Sequence, residues 1–248
     1  MLLSAYLITF NEAQYLDQVL RQLQGVDELI VVDSGSTDGT QDIARRHGAK
    51  VIHQDWLGFA RQRAFACEQC QGQWILSVDG DEILEDGAIE EIRHLIQNTN
   101  MNGFGIPRAE VFMGAPMLRA RLDPQMRVFR KDKIAWELTR LVHEHMDIEQ
   151  PTGVTTKKML HYGNSTIAKN ATKINSYSSL KAQQKFNAGK RGSMAKMLLS
   201  PLGYFIQHML TRGYWREGLR GIVFSGLQAY YSFLSEAKLI ELKRTSSS

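Results

Sequence analysis

Two carboxylates one residue apart, Asp79 and Asp81, flank Gly80 directly after the apolar run Trp74-Ile75-Leu76-Ser77-Val78. Carboxylate oxygens at that spacing are hard ligands suited to Mg2+ or Mn2+. A cation held there can neutralise a departing diphosphate, while Gly80 lets backbone approach closely. Asp-x-Asp alone also describes a solvated acidic turn, so its position is what matters. Thr9 and Asn11 follow a first apolar run over residues 2–8, and Asp33 follows a second over residues 28–32. In open α/β sheets, ligands bind beyond the carboxyl ends of the strands. Thr9, Asn11, Asp33, Asp79 and Asp81 are therefore expected to share one crevice.

The elements that must position them alternate regularly. Asn11 is expected to cap a helix, with Gln14 three residues on and Ala13, Leu16, Val19, Leu20 and Leu23 on its apolar face. After Asp33, a short helix closes with Arg45, Arg46 and Gly48, and Val51-Ile52 reads as a third strand. Residues 59–70 read as a helix stopped by Gly72, and Trp74–Val78 as a fourth strand. Asp86 is expected to cap a further helix with Ile89, Ile92, Leu95 and Ile96 inward. This βαβα rhythm predicts an α/β fold with a mainly parallel central sheet. From about Ser165 the pattern turns helical, with Ile167, Ala171, Ile174 and Tyr177 as one stripe.

The 248 residues carry a net charge of +4, but unevenly. Residues 1–150 hold 15 Lys and Arg against 23 Asp and Glu, whereas residues 151–248 hold 15 against 3. The basic second part points to an anionic partner. Its apolar segments, 194–210 and 215–240, are interrupted by Pro201, Gln207 and His208 or by short polar insertions, so neither reads as a membrane span. They read either as basic amphipathic helices lying on a membrane surface or as helices packing on the domain or on a second subunit, that is, a homo-oligomer. Cys67 and Cys70 are the only cysteines. No second Cys/His pair completes a zinc site, and helical spacing with Ala60 and Ala64 makes Cys67 a packing residue. Nothing in the first residues reads as a leader peptide, and no nucleic acid partner is implied.

The stretches Leu7-Ile8-Thr9-Phe10-Asn11-Glu12, Ile30-Val31-Val32-Asp33-Ser34-Gly35-Ser36-Thr37-Asp38-Gly39-Thr40 and Ser77-Val78-Asp79-Gly80-Asp81-Glu82, in that order, resemble family 2 of the glycosyltransferases, enzymes of the GT-A fold. Gly58-Phe59 leading to Gln62-Arg63, then Leu141-Val142-His143-Glu144, Leu160-His161-Tyr162 and the basic helical tail resemble the branch of lipopolysaccharide-core β-1,4-glucosyltransferases. The resemblance implies a GT-A domain over residues 1–163 and a basic amphipathic helical region over 164–248. It implies a metal-dependent enzyme moving a sugar, with glucose first in line, from a UDP-sugar to a glycan or lipid-linked acceptor such as lipopolysaccharide core. The cysteine usage reads as a reducing, cytoplasmic compartment, and the basic helices place the chain peripherally on the inner face of the membrane. A different polysaccharide or polyprenyl-phosphate acceptor is the alternative, and a non-catalytic membrane-associated sugar-binding module the more distant one. A haloacid-dehalogenase phosphatase places its Asp-x-Asp after the first strand rather than the fourth. A dinucleotide oxidoreductase requires Gly-x-Gly-x-x-Gly, which is absent.

Carried over residue by residue, the resemblance places Thr9 and Asp33 at the base and ribose, with Asn11 and Glu12 nearby. Arg63 stands where the family has a basic residue toward the nucleotide or its diphosphate, although the neighbouring Asn of the family is Ala64 here. Asp79 falls near the ribose and Asp81 on the cation. Asp38 is expected to buttress its own turn. Inverting transfer also needs a base for the acceptor hydroxyl proton. Glu144, between His143 and His145, is the candidate, the alternative being a polar loop. His161 is either a further metal ligand or a structural histidine. Arg108, Arg119, Arg121, Arg127, Arg130 and Arg140 lie within residues 103–142 and either bind acidic acceptor groups or decorate a solvated loop.

Overall fold

Strands with both faces buried need continuous apolar runs, and the first three such runs become the heart of a sheet. A computed structural model of the chain describes residues 2–97, 99–137 and 145–245. In chain order the first part reads β1 (Leu3–Thr9), α1 (Ala13–Gln22), β2 (Glu28–Asp33), α2 (Thr40–Arg46), β3 (Lys50–His53), α3 (Phe59–Gln69), β4 (Trp74–Asp79), β5 (Glu82–Leu84) and α4 (Ala88–Gln97). There follow β6 (Gly103–Phe112), β7 (Ala115–Pro116), β8 (Pro124–Arg130), β9 (Ile134–Glu137), β10 (His145–Ile148), β11 (Thr152–Val154) and β12 (Met159–His161). Three α-helices complete the described residues, α5 (Ile167–Asn187), α6 (Met194–Leu210) and α7 (Leu219–Thr245), with a short 3-10 turn at Tyr214–Glu217.

The main sheet runs β3-β2-β1-β4-β8-β6-β12-β5. The four strands β3, β2, β1 and β4 are mutually parallel, as the βαβα rhythm predicts, and β8 then joins β4 antiparallel, with β6 antiparallel to β8. Of the arginines after Gly103, Arg108, Arg127 and Arg130 thus stand on strands, whereas Arg119 and Arg121 are exposed in the segment between β7 and β8. Leu3, Leu7, Val31, Leu76 and Val78 face α1 and α4 through Leu16, Leu20, Ile89 and Ile92 in one core layer. Tyr6, Ile30, Val32 and Ile75 meet Ala66, Cys67 and Cys70 in the other. Cys67 is a packing residue, as its spacing implies.

The chain divides into two compact units, residues 1–108 with 123–162, and residues 109–122 with 163–248. In the second, Phe112, Met117 and Phe224 form a small apolar cluster, and the Glu217 carboxylate accepts from the backbone N–H groups of Arg119 and Ala120 at 2.5 and 3.0 Å. The α5 stripe differs from expectation. Asn170, Ile174, Ser178 and Ala182 are buried while Ile167 is exposed, and the Lys238 ammonium on α7 donates to the buried Ser178 hydroxyl at 2.9 Å.

Two caps also differ. The α1 helix begins at Ala13, and Asn11 adopts a left-handed φ of 56°, a conformation Asn tolerates. The Ala13 N–H donates instead to Asp38 at 3.0 Å. Likewise α4 begins at Ala88, and the Asp86 carboxylate accepts from Gln22 at 2.9 Å.

Candidate active site

Parallel register brings the carboxyl ends of three strands together: Thr9 lies opposite Asp33, and Ile8 opposite Asp79. Thr9 and Asp33 are buried, and the Thr9 hydroxyl donates to Asp33 Oδ2 at 2.9 Å. The same oxygen accepts from the Ser36 hydroxyl, while Asp33 Oδ1 accepts from the N–H groups of Gly35 and Ser36 and from Gln41 Nε2. Burial opposes the charged form of Asp33, but these donors, Ser36 foremost, outweigh it and hold the carboxyl below its ordinary range. Five donors meet a group with about four lone-pair sites. Asp33 is therefore the organiser of the loop after β2, its acceptor sites filled by that loop, by Gln41 and by Thr9.

Asn11 ties that loop back to β1. Its N–H donates to Ser36 Oγ at 2.8 Å, and its side-chain oxygen accepts from the Thr37 N–H at 2.9 Å. Asp38 accepts from the Thr40 N–H and hydroxyl, and Thr40 Oγ1 accepts from the Glu12 N–H. Asp38 buttresses its turn as expected, and caps α1 besides. Glu12 lies against the acidic turn, where a Cβ on Gly80 would stand 2.9 Å from Glu12 Cβ and Cγ. The close approach that Gly80 permits is that of Glu12.

The two carboxylates of the turn have different surroundings. Asp79 Oδ1 accepts from Arg63 on α3 at 2.6 Å and Asp79 Oδ2 from Arg127 on β8 at 3.0 Å. Burial opposes the charge on Asp79, but the guanidinium groups of Arg63 and then Arg127 hold its carboxyl well below the usual carboxylate range. Arg63 is also fixed by donating to Ser77 Oγ at 3.1 Å. Arg127 donates in addition to Glu82 Oε1 at 2.6 Å, and Arg108 lies 3.5 Å from the same oxygen. Glu82 is fully buried. Arg108 and Arg127 are thus internal partners of the turn, and Arg130 pairs with Asp132. Arg127 and Glu82 are site residues that local sequence reading does not single out.

Asp81 faces His161. Antiparallel pairing of β5 with β12 sets His161 opposite Glu82, the Tyr162 N–H donates to Asp81 O at 2.9 Å, and His161 Nε2 lies 3.5 Å from Asp81 Oδ2. That separation exceeds a normal hydrogen bond. It lies within the span that two ligands at about 2 Å from one cation can bridge. A carboxylate with an imidazole suits Mn2+, and Mg2+ through the carboxylate. Among the described residues no group of three His, Cys, Asp or Glu side chains converges as a metal cage. A two-ligand site fits a cation whose other positions are filled by phosphate oxygens and water. Glu144, the candidate base, lies outside the described residues, as do His143 and Arg140. A cavity of about 580 Å3 lies elsewhere, at the start of β4 beside Gly72, Trp74 and Ile96, away from these carboxylates.

Thr9, Asn11, Glu12, Asp33, Arg63, Asp79, Asp81 and His161 therefore gather along one edge of the sheet. The Glycosyl transferase family 2 model matches residues 4–147. The chain belongs to glycosyl transferase family 2. This family 2 transferase is 32% identical over 248 residues to the lipopolysaccharide core biosynthesis glycosyltransferase LpsC of Rhizobium meliloti, covering 96% of this chain and 92% of the relative. An uncharacterized glycosyltransferase of Rickettsia felis is 31% identical, over 96% of this chain and 89% of its own length. The fold is that of the crystal structure of S. aureus TarS residues 1–349, at 16% identity with a TM-score of 0.51, covering 99% of this chain and 92% of that one. The expected GT-A architecture is borne out, and with it a glycosyl transfer activity.

Proposed function

We propose that this family 2 transferase moves a hexose, glucose first in line, from a UDP-sugar to a glycan or lipid-linked acceptor such as lipopolysaccharide core, in one inverting displacement on the cytoplasmic side of the inner membrane. The observation that carries the reading is the division of labour in the acidic turn. Asp79 is held by two arginines, whereas Asp81 is directed at His161. The relative named for lipopolysaccharide core biosynthesis supports the acceptor class.

Asp81 and His161 would hold the divalent cation. When bound, it supplies positive charge against the departing diphosphate. The chain's own residues do the rest. Thr9 and the Asp33-ordered loop shape the floor for the nucleoside, with Asn11 and Glu12 beside it. Arg63 fixes Asp79 near the ribose, and the pair keeps that carboxylate charged. Glu144 accepts the acceptor hydroxyl proton as the new glycosidic bond forms at C1 and the C1–O bond to the diphosphate breaks, its electron pair leaving with UDP.

The test is thermal shift and turnover with UDP-sugars and Mn2+. Binding of UDP-glucose should raise the Tm only when metal is present, and Asp81→Ala should remove both the metal dependence and turnover. Glu144→Gln should cut turnover by about 100-fold or more while sparing the donor-induced shift. If no UDP-sugar moves the Tm with metal present, the donor assignment is wrong.

A further inference from the structure

The α6 helix carries none of its 17 residues buried. Its side toward α7 is marked by Ser200, whose hydroxyl meets that of Ser232 at 2.8 Å, and by His208, whose ring stacks between Tyr204 and Tyr214. Ser200, Tyr204 and His208 are spaced by four and fall on one stripe. The opposite side presents Leu198, Leu199, Leu202, Ile206 and Leu210, between 46% and 69% exposed, with Met194 before them at 56%. These are spaced as a single face. Past the helix, Trp215, Leu219 and Ile222 are exposed as well. A run of large apolar side chains on one side of a helix is an interaction surface rather than ordinary surface scatter.

Charge identifies what covers it. Residues 150–216 contain 11 Lys and Arg and no Asp or Glu. Lys190, Arg191 and Lys196 stand at the start of α6, and Arg212 and Arg216 follow its end. Arg216 lies over the Trp215 ring at 5.2 Å, an aromatic–cation pair suited to a headgroup layer. A second copy of the same face would set cations against cations, whereas an anionic surface is complementary along its whole length. No described helix is long and apolar enough to cross a membrane, so the arrangement suits a helix lying in the interface with its apolar side inward.

We propose that α6, with Trp215, Leu219 and Ile222, docks this chain on the surface of a bilayer bearing anionic headgroups. The proposal stands on the surface of the helical unit and is independent of the donor and metal assignment.

The test is sedimentation of the full chain with phosphatidylcholine vesicles, with and without phosphatidylglycerol. The wild-type chain should bind the anionic vesicles, release them as salt rises, and bind neutral vesicles roughly ten-fold or more weakly. The triple variant Leu198→Ser, Leu202→Ser, Ile206→Ser should lose roughly ten-fold or more of the anionic binding. Its circular dichroism and its UDP-sugar hydrolysis in the absence of vesicles should be unchanged, since the substituted side chains are exposed. Lys190→Gln with Lys196→Gln should weaken binding at low salt only. Equal binding of the triple variant and wild type, no wild-type binding to anionic vesicles, or equal binding to neutral ones would each overturn the proposal. So would a dimer, seen by sedimentation velocity, that the triple variant dissolves while vesicle binding stays unchanged. That result would assign the face to a second copy.

Discussion

The buried carboxylate of Glu82 accepts from Arg127 Nη2 at 2.6 Å, across 45 residues of sequence, and the same nitrogen donates to Asp79 at 3.0 Å. One strand-borne guanidinium therefore spans both flanks of Asp81, and the acidic turn is held from β8 as well as from α3. A buried pair of this kind fixes geometry more surely than it adds stability, because desolvation offsets much of the Coulomb attraction. Breaking it is another matter, since the partner left behind is an uncompensated buried charge.

Removing either partner should accordingly be costly. Arg127→Met or Glu82→Met alone should destabilise the protein by about 3–5 kcal/mol in urea denaturation. The double variant should recover part of that loss, with a favourable coupling energy in the double-mutant cycle. Additive losses would mean that the two groups act independently and that the contact is incidental.

Gly80 offers a sharper steric test. A Cβ there falls 2.9 Å from the Cβ and Cγ of Glu12, too close for atoms so near a backbone to yield easily. Gly80→Ala should cost about 1–3 kcal/mol of stability and raise KM for the donor by displacing the turn. Adding Glu12→Gly should restore a measurable part of both. A Gly80→Ala enzyme with unchanged kinetics would show that the turn tolerates a shift.

Acid should reach the loops before it reaches the cores. Asp33 is depressed below its ordinary 3.8, with burial opposing and Ser36, Thr9 and Gln41 donors prevailing. Glu91 is depressed below 4.5, with burial opposing and the Thr156 and Lys157 N–H groups prevailing. A carboxyl whose folded value is lowered contributes stability that is complete above its unfolded value and lost as pH falls through the folded one. The urea midpoint should be level at neutral pH and decline below about pH 4.5, and Glu91→Gln should flatten the upper part of that decline. A midpoint unchanged down to about pH 3 would contradict the assignment.

The parallel half of the fold was legible because a strand buried on both faces must be apolar throughout, as Ile30, Val31 and Val32 are. Its polar terminator then marks the ligand edge, so Thr9, Asp33, Asp79 and Asp81 could be read from position. What stayed hidden depends on pairing between distant segments. Asp38 caps α1 from the next loop, 25 residues on, and leaves Asn11 to adopt its left-handed turn. Arg127 reads locally as one basic residue among several, and only the β4–β8 pairing shows that it faces Asp79 and Glu82. The α5 stripe misled because the buried face sets Asn170, Ser178 and Ala182 beside Ile174, with Ser178 held by Lys238, and apolar periodicity cannot register small and polar residues.

The two thiols give a check on that core. Burial pushes Cys67 up to about 11 and Cys70 up to about 12, so almost no thiolate exists at neutral pH. Folded protein should leave an aromatic disulfide reagent unreacted except at the rate of unfolding, and both thiols should titrate at once in urea. Prompt reaction of either in the native protein would show that α3 opens toward solvent.

His161 carries the last and most discriminating prediction. If it were only a buried structural histidine, His161→Asn would lower the Tm and leave the metal response alone. As a ligand beside Asp81, at 3.5 Å, its imidazole should matter more for Mn2+ than for Mg2+, because nitrogen donors favour transition metals while Mg2+ prefers oxygen. His161→Asn should therefore raise the Mn2+ concentration needed for half-maximal turnover by roughly ten-fold or more, with a smaller change for Mg2+. Asp81→Asn should weaken both alike, since its carboxylate serves either ion. The ratio of the two activation constants is the readout, because a loss of folded protein would scale the Mn2+ and Mg2+ curves together. An unchanged ratio would return His161 to a purely structural role and leave Asp81 as the chain's one proposed metal ligand.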